Sequence, residues 1–185
     1  TLTTLYDPDG SCGVAVRAAR SGTYPSWKRL MDVTGAGIAL VFALPLMCAI
    51  ALIIFAVDPG PVLFVQDRVG YLGRRFRVVK FRTMRVDAEK QLEQYLAASD
   101  ENAAEWQANF KLRRDPRILP YIGNFLRRSS LDEVPQFLNV VRGEMSLVGP
   151  RPFPDYHMSI FDPEFRDLRT SVMPGLTGLW QVECR

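Results

Sequence analysis

The apolar positions of this chain are concentrated in one place. From Val33 to Val57 there are 25 consecutive residues without a charge, more than the roughly 20 apolar residues that cover a bilayer's hydrocarbon core. Pro45 sits near the middle, where its ring clashes with the preceding turn and removes a backbone donor. The halves Val33–Leu44 and Pro45–Val57 are each about 18–20 Å long as helices, too short to cross alone. Lys28 and Arg29 precede the run, and Arg68, Arg74, Arg75, Arg77 and Lys80 follow it. Lys/Arg-rich flanks stay on the cytoplasmic side. If both obey, the chain enters, turns at Pro45 and leaves on the side it came from. A Pro-kinked single span also satisfies these residues, because membranes tolerate it; the basic flanks lean the reading towards re-entry. The run is too long, and starts too far into the chain, for a secretory signal.

After the run the pattern changes period. Asp58-Pro59-Gly60-Pro61 is a turn. Val62–Val65 and Phe76–Phe81 read as short strands, and Gly70-Tyr71-Leu72-Gly73 between them predicts a hairpin. Ala88–Leu112 has helical composition with a break and N-cap at Ser99-Asp100. Leu131–Val141 is apolar-periodic and closed by Gly143, Glu144–Val148 is extended, and Gly149-Pro150-Arg151-Pro152 is a stiff loop. The expected fold class is α+β, mainly helical: a proline-broken membrane helix and a small domain with a short β-hairpin. Three regions are expected: a linker over residues 1–27, the membrane helix over 28–57 and a catalytic domain over 58–185. The chain starts at Thr1 and stops at Arg185 without a closing element, so the expectation is a C-terminally truncated piece of a longer protein.

Composition narrows the classes. Hydrophobic residues are 48% of 185, which excludes a disordered chain. The net charge is only +3, so clusters matter more than the sum. Cys12, Cys48 and Cys184 are far apart and odd in number, against a disulfide framework or zinc site and in favour of a reducing, cytosol-facing environment. A single histidine, His157, weakens histidine-based nucleophile schemes. Asp7-x-Asp9 before Gly10 is better explained as a turn than as a metal motif.

Four clusters bear on chemistry. Arg127-Arg128-Ser129-Ser130-Leu131-Asp132-Glu133-Val134-Pro135 sets adjacent carboxylates behind two arginines. Ser130-x-x-Glu133 also reads as a capping box with acids in a first helical turn. The functional alternative is a nucleophile, Asp132, beside an acid/base, Glu133. Lys80 and Arg82, two apart on one strand face, can grip an anion or form a protective basic edge. Arg151 stands between two prolines, which lowers the ordering cost of a bidentate phosphate contact. Pro174-Gly175-Leu176-Thr177-Gly178-Leu179-Trp180 could floor a nucleotide or lipid pocket, or lie in the membrane interface. Paired carboxylates with phosphate clamps at a membrane fit phosphoryl transfer, where positioning and charge neutralisation dominate. The non-enzymatic alternative is a membrane-anchored basic module that binds anionic lipid or nucleic acid, and it has no use for Asp132-Glu133.

The same residues carry a resemblance. Lys28-Arg29-x-x-Asp32, Pro59-Gly60-Pro61, Arg68-Val69-Gly70, Lys80-Phe81-Arg82-Thr83-Met84, Arg128-x-Ser130-Leu131-Asp132-Glu133-x-Pro135-Gln136, Gly143 to Pro152 and Pro174-Gly175-Leu176-Thr177-Gly178 come in order over about residues 27–182. The chain resembles the bacterial sugar transferases, monotopic polyprenyl-phosphate phosphoglycosyl transferases. Its segment Leu92–Arg117 is similar to the subgroup that initiates exopolysaccharide and O-antigen (lipopolysaccharide) synthesis. The resemblance implies transfer of a hexose-1-phosphate from a UDP-sugar, UDP-galactose or UDP-glucose, to undecaprenyl phosphate, with release of UMP and a requirement for Mg²⁺. It implies Asp132 as nucleophile forming a covalent phosphosugar-enzyme, and Glu133 as acid/base helping to organise the metal. Lys80, Arg82, Arg127 and Arg151 would be the phosphate or nucleotide contacts. It also implies a helix re-entrant at Pro45, an active site on the cytoplasmic face of the inner membrane, no nucleic-acid partner, and a homodimer as an open option.

Overall fold

The computed structural model describes residues 24–109, 112 and 115–178. The expected linker lies outside these apart from residues 24–27, as does Trp180. Helix α1 (Ser26–Val57) is a single continuous helix of 32 residues that carries Pro45 inside it, so the break expected at Pro45 is not seen. A proline removes one backbone donor, and the turns on either side still hold the helix together. Strands β1 (Leu63–Val69) and β2 (Arg75–Phe81) form the expected hairpin across a 3₁₀ turn at Tyr71–Gly73. Helices α2 (Ala88–Ala97) and α3 (Asp100–Asn109) fill the helical insert. Ser99 marks their break, and its hydroxyl oxygen accepts from the Glu101 N–H at 3.2 Å. There follow α4 (Gly123–Ser129), a 3₁₀ segment Leu131–Gln136, α5 (Phe137–Arg142), β3 (Ser146–Val148), α6 (Asp155–Met158), α7 (Pro163–Thr170) and β4 (Gly175–Thr177).

The chain divides into two compact units, both of which include part of α1 and of the hairpin. The first comprises the described residues of Thr1–Phe42, Val65–Val78 and Gln136–Arg185. Its core is Ala36, Phe76, Val78, Val140 and Met145, with Phe137 and Leu147 packed against them. The basic-acidic start of α1 is riveted here. Lys28 Nζ lies 2.5 Å from Asp32 Oδ1 and donates to Ser146 Oγ at 2.9 Å. Asp32 is fully buried and accepts from Tyr24 Oη and from the Leu147 N–H at 3.2 Å. A buried carboxylate is tolerated only when paired and hydrogen-bonded in this way. Arg29 donates to the carbonyls of Val140 and Val141 at 2.6 and 2.8 Å, satisfying the last turn of α5. Gly143 ends that helix at φ +88°, and a Cβ there would sit 3.1 Å from the Arg29 guanidinium.

Strand β3 pairs in parallel with β4, Ser146 opposite Gly175 and Val148 opposite Thr177. A Cβ on Gly149 would collide with the Met173 carbonyl, and one on Gly178 would approach the Gly149 carbonyl to 2.6 Å. The glycines of Gly149-Pro150 and Pro174–Gly178 are thus explained by backbone packed on backbone.

The second unit comprises Ala43–Phe64 and Val79–Pro135. Its core is Ile50, Ile54, Phe81, Leu119, Ile122 and Leu126, joined by Met47, Ala51, Val57, Val62 and Leu131. Met84 bridges Ile118 antiparallel, and the Leu119 N–H donates to the Thr83 carbonyl at 3.0 Å. Arg117 closes the insert with two bonds to the Asp115 carboxylate at 2.8 and 2.6 Å and lies 4.8 Å from the centre of the Trp106 ring.

Most of α1 lacks protein cover. Only 11% of its most apolar window is buried, and Val41, Phe42, Leu52 and Phe55 are exposed. The core helix of a water-soluble domain would be buried, so this surface calls for an apolar solvent.

Candidate active site

The two carboxylates owe their position to a break between helices. Helix α4 ends with Arg127 and Arg128 in its last turn, where cations suit the helix dipole. Ser130 then adopts the left-handed conformation (φ 59°). The chain restarts as a tight 3₁₀ turn in which the Glu133 N–H donates to the Ser130 carbonyl at 3.1 Å. Pro135 has no N–H to continue an α-helical ladder, so the expected single helix over 131–141 is a 3₁₀ turn followed by α5. Ser130, read as an N-cap, both directly precedes this 3₁₀ segment and is the C-cap of the preceding helix.

Four expected site residues converge in the second unit. Lys80 on β2 reaches Glu133, with Nζ 3.3 Å from Oε1 and both side chains largely buried. Arg127 donates from Nε to Thr83 Oγ1 at 3.0 Å, which fixes its guanidinium. The Asp132 carboxyl is pushed above the ordinary 3.8 by burial and by the neighbouring Glu133 charge, while Lys80 and Arg127 pull the other way. Asp132 is therefore a partly desolvated carboxylate of raised basicity, held in the field of two cations. Arg127 also acts on Asp115, whose burial raises its pKa but whose bonds from Arg117 outweigh that and lower it.

Arg82 is placed differently from its neighbour Lys80. Its guanidinium is bound to the Asp58 carboxylate and to the Asp58 carbonyl, and its Nε is buried without a partner. Asp58 also accepts from the Val86 N–H at 3.0 Å. Here Arg82 latches the Asp58-Pro59-Gly60-Pro61 turn onto the end of β2.

Arg151 belongs to the first unit. It lines a small pocket with Val69, Phe153, Met158, Arg169 and Pro174. Arg169 donates to the Arg151 carbonyl at 2.7 Å and lies 4.0 Å from the Phe153 ring centre. Burial lowers its pKa. His157 packs edge-on against Phe153 and Tyr156, a structural role.

Sequence reasoning missed Asp58, Thr83, Asp115 and Arg169. Asp58 looked like a turn residue, and a threonine hydroxyl within a basic run carries no spacing signal. No cluster of three or more His, Cys, Asp or Glu side chains able to hold a metal exists among the described residues. Asp132 and Glu133 carry two carboxylates, a hard all-oxygen donor pair. That donor set suits Mg²⁺, which binds through one or two carboxylates and completes its shell with substrate phosphates and water.

The fold thus combines an uncovered apolar helix with a carboxylate pair set among the cations Lys80 and Arg127. The bacterial sugar transferase model matches residues 23–185, and the chain belongs to that family. It is 44% identical over 160 residues to a UDP-galactose-lipid carrier transferase of Erwinia amylovora, covering 85% of this chain and 32% of that protein. It is 40% identical over 158 residues to the exopolysaccharide production protein ExoY of Rhizobium meliloti, 85% of this chain and 69% of the relative. It is 39% identical over 168 residues to the UDP-glucose:undecaprenyl-phosphate glucose-1-phosphate transferase of Escherichia coli, 88% of this chain and 32% of the relative. The chain thus spans about a third of the length of two of these proteins.

Proposed function

We propose that this chain is the catalytic unit of an undecaprenyl-phosphate sugar phosphotransferase that moves a hexose-1-phosphate from a UDP-hexose and releases UMP. Family membership and the relatives' names support the reaction class. The observation that carries the site assignment is Asp132, desolvated beside Glu133 and faced by Lys80 and Arg127. In the first half-reaction Asp132 attacks the sugar-bearing phosphorus. The bond from that phosphorus to the bridging oxygen breaks, UMP leaves with the electron pair, and an aspartyl phosphosugar forms. In the second, an oxygen of the lipid phosphate attacks the same phosphorus and Asp132 is released. Glu133 serves as acid/base, and Arg127 and Lys80 neutralise phosphate charge beside it; Arg151, in the first unit, is a further nucleotide or phosphate contact of this reading. Arg82 supports this surface through Asp58. Asp132 and Glu133 would hold Mg²⁺, which lowers the negative charge on the phosphates the site must bring together. Helix α1 lies in the inner membrane, entering and leaving at the cytoplasmic face about Pro45, and the product feeds exopolysaccharide or lipopolysaccharide assembly.

The test is UMP release from UDP-galactose and UDP-glucose with Mg²⁺, with and without undecaprenyl phosphate. Release that needs the lipid, and that falls about 10³-fold or more in Asp132→Asn, is expected. Lipid-independent anion binding with no UMP from any UDP-sugar would identify a binding module instead.

A further inference from the structure

Tyr121 and Phe125 are large aromatic side chains with no place in the core. Tyr121 is 97% exposed and Phe125 58% exposed. Tyr121 also has φ +63°, a region that a bulky L-residue enters only against steric resistance. The backbone around it is pinned by bonds from the Ile122 N–H to the Pro120 carbonyl (2.7 Å) and from the Gly123 N–H to the Leu119 carbonyl (3.0 Å). Gly123 has no room for a Cβ, which would lie 2.8 Å from the Thr83 carbonyl. The strained turn therefore holds an aromatic ring outward, against both the hydrophobic effect and backbone preference.

Its neighbours say what covers it. Through Ile122 and Leu126, α4 packs into the same cluster as Ile50 and Ile54 of α1. Leu52, Ile53 and Phe55, on the other sides of that stretch, are exposed. Ile50 is only about 10 Å along the helix axis from its end at Val57. Whatever apolar phase bathes Leu52 and Phe55 thus has its boundary within two helical turns of α4. At such a boundary tyrosine rings and arginines are the favoured side chains. Exposed Arg127 and Arg128 follow Phe125, and residues 116–131 contain no acidic side chain, which suits an anionic headgroup layer.

From this we infer that Tyr121 and Phe125 form an interfacial membrane anchor, inserted at the headgroup–acyl boundary of an anionic bilayer. The anchor sets the depth of α4 and so of Asp132, which begins the next turn. It rests on the membrane placement of α1 and goes beyond the transfer reaction itself.

The experiment attaches nitroxide labels to the full chain, with Cys12, Cys48 and Cys184 changed to Ala, at Tyr121→Cys, Phe125→Cys, Leu52→Cys and Glu93→Cys. Each variant is placed in phosphatidylglycerol–phosphatidylcholine vesicles. The ratio of oxygen to water-soluble nickel-chelate accessibility is read at each label, and each labelled chain is required to melt with the parent. Labels at 52, 121 and 125 are expected to favour oxygen several-fold over the label at 93, with 52 the deepest. If 52 is buried in lipid while 121 and 125 are as open to the nickel chelate as 93, the anchor is overturned and the membrane reading stands. If 52 itself is open to the chelate, the membrane placement fails and the anchor with it.

Discussion

At the scale of single residues, Asp132 is held in an environment that resists its charge. Burial and Glu133 raise its pKa above 3.8. The unfolded chain ionises this carboxyl freely, so its ionisation costs the folded state stability. That cost is absent below pH 3.8 and grows as pH rises from there through the folded value. Asp132→Asn should therefore melt higher than the native chain at pH 7 and together with it near pH 3, even as activity is lost. Thermal melts across pH check this, and a lower melting temperature for the variant at pH 7 would contradict it. Thr83 is the second test. Its hydroxyl fixes Arg127, so Thr83→Val should lower kcat/KM about tenfold, as expected for a bond to a charged group. The melting temperature should move by no more than a few degrees. The carboxylate pair and its cations were legible in the sequence because charged residues in a fixed order are visible there. Thr83 and Asp58 were not, since their roles exist only once β2 is brought to α4 and to the end of α1.

At the scale of elements, two devices recur: backbone carbonyls capped by distant arginines, and glycines that let strands touch. Gly149→Ala should destabilise the chain by about 2–3 kcal/mol or more, because backbone rather than a flexible side chain blocks the added Cβ. Denaturant unfolding in detergent measures it. Asp115 gives a second pH effect of opposite sign. Its lowered pKa contributes stability above 3.8 that is lost as pH falls through the folded value, so Asp115→Asn should destabilise at pH 7 and be neutral in acid. Long elements were legible: the extent of α1, though not its continuity through Pro45, the hairpin, and the insert with its break at Ser99. The short ones were not. Helix α4 has seven residues and no side-chain cap at its start. The parallel pairing of β3 with β4 joins two three-residue strands and leaves no periodic trace. The expected single helix over 131–141 splits at the 3₁₀ turn, a consequence of Pro135 that a pattern of apolar positions does not register.

At the scale of the whole molecule, the uncovered apolar surface of α1 suits a bilayer, and the proposed re-entry about Pro45 is a claim about how it is held there. Trp27 and Leu72 are both exposed, one before the apolar run in sequence and one after it. Cysteines at Trp27 and Leu72, in a background lacking the native three, should both react with an impermeant maleimide added from the cytoplasmic side. Reaction of the two from opposite sides would replace re-entry by a span. The proposed two-step transfer requires a carboxylate of this chain to carry the sugar phosphate. The most direct measurement is the intact mass of the protein after exposure to UDP-galactose or UDP-glucose with Mg²⁺ and no lipid acceptor. A hexose-phosphate adduct on the native chain, absent from Asp132→Asn and discharged by undecaprenyl phosphate, is the predicted result. An adduct that persists in Asp132→Asn, or lipid-dependent UMP release from the native chain with no adduct at any time point, would contradict it.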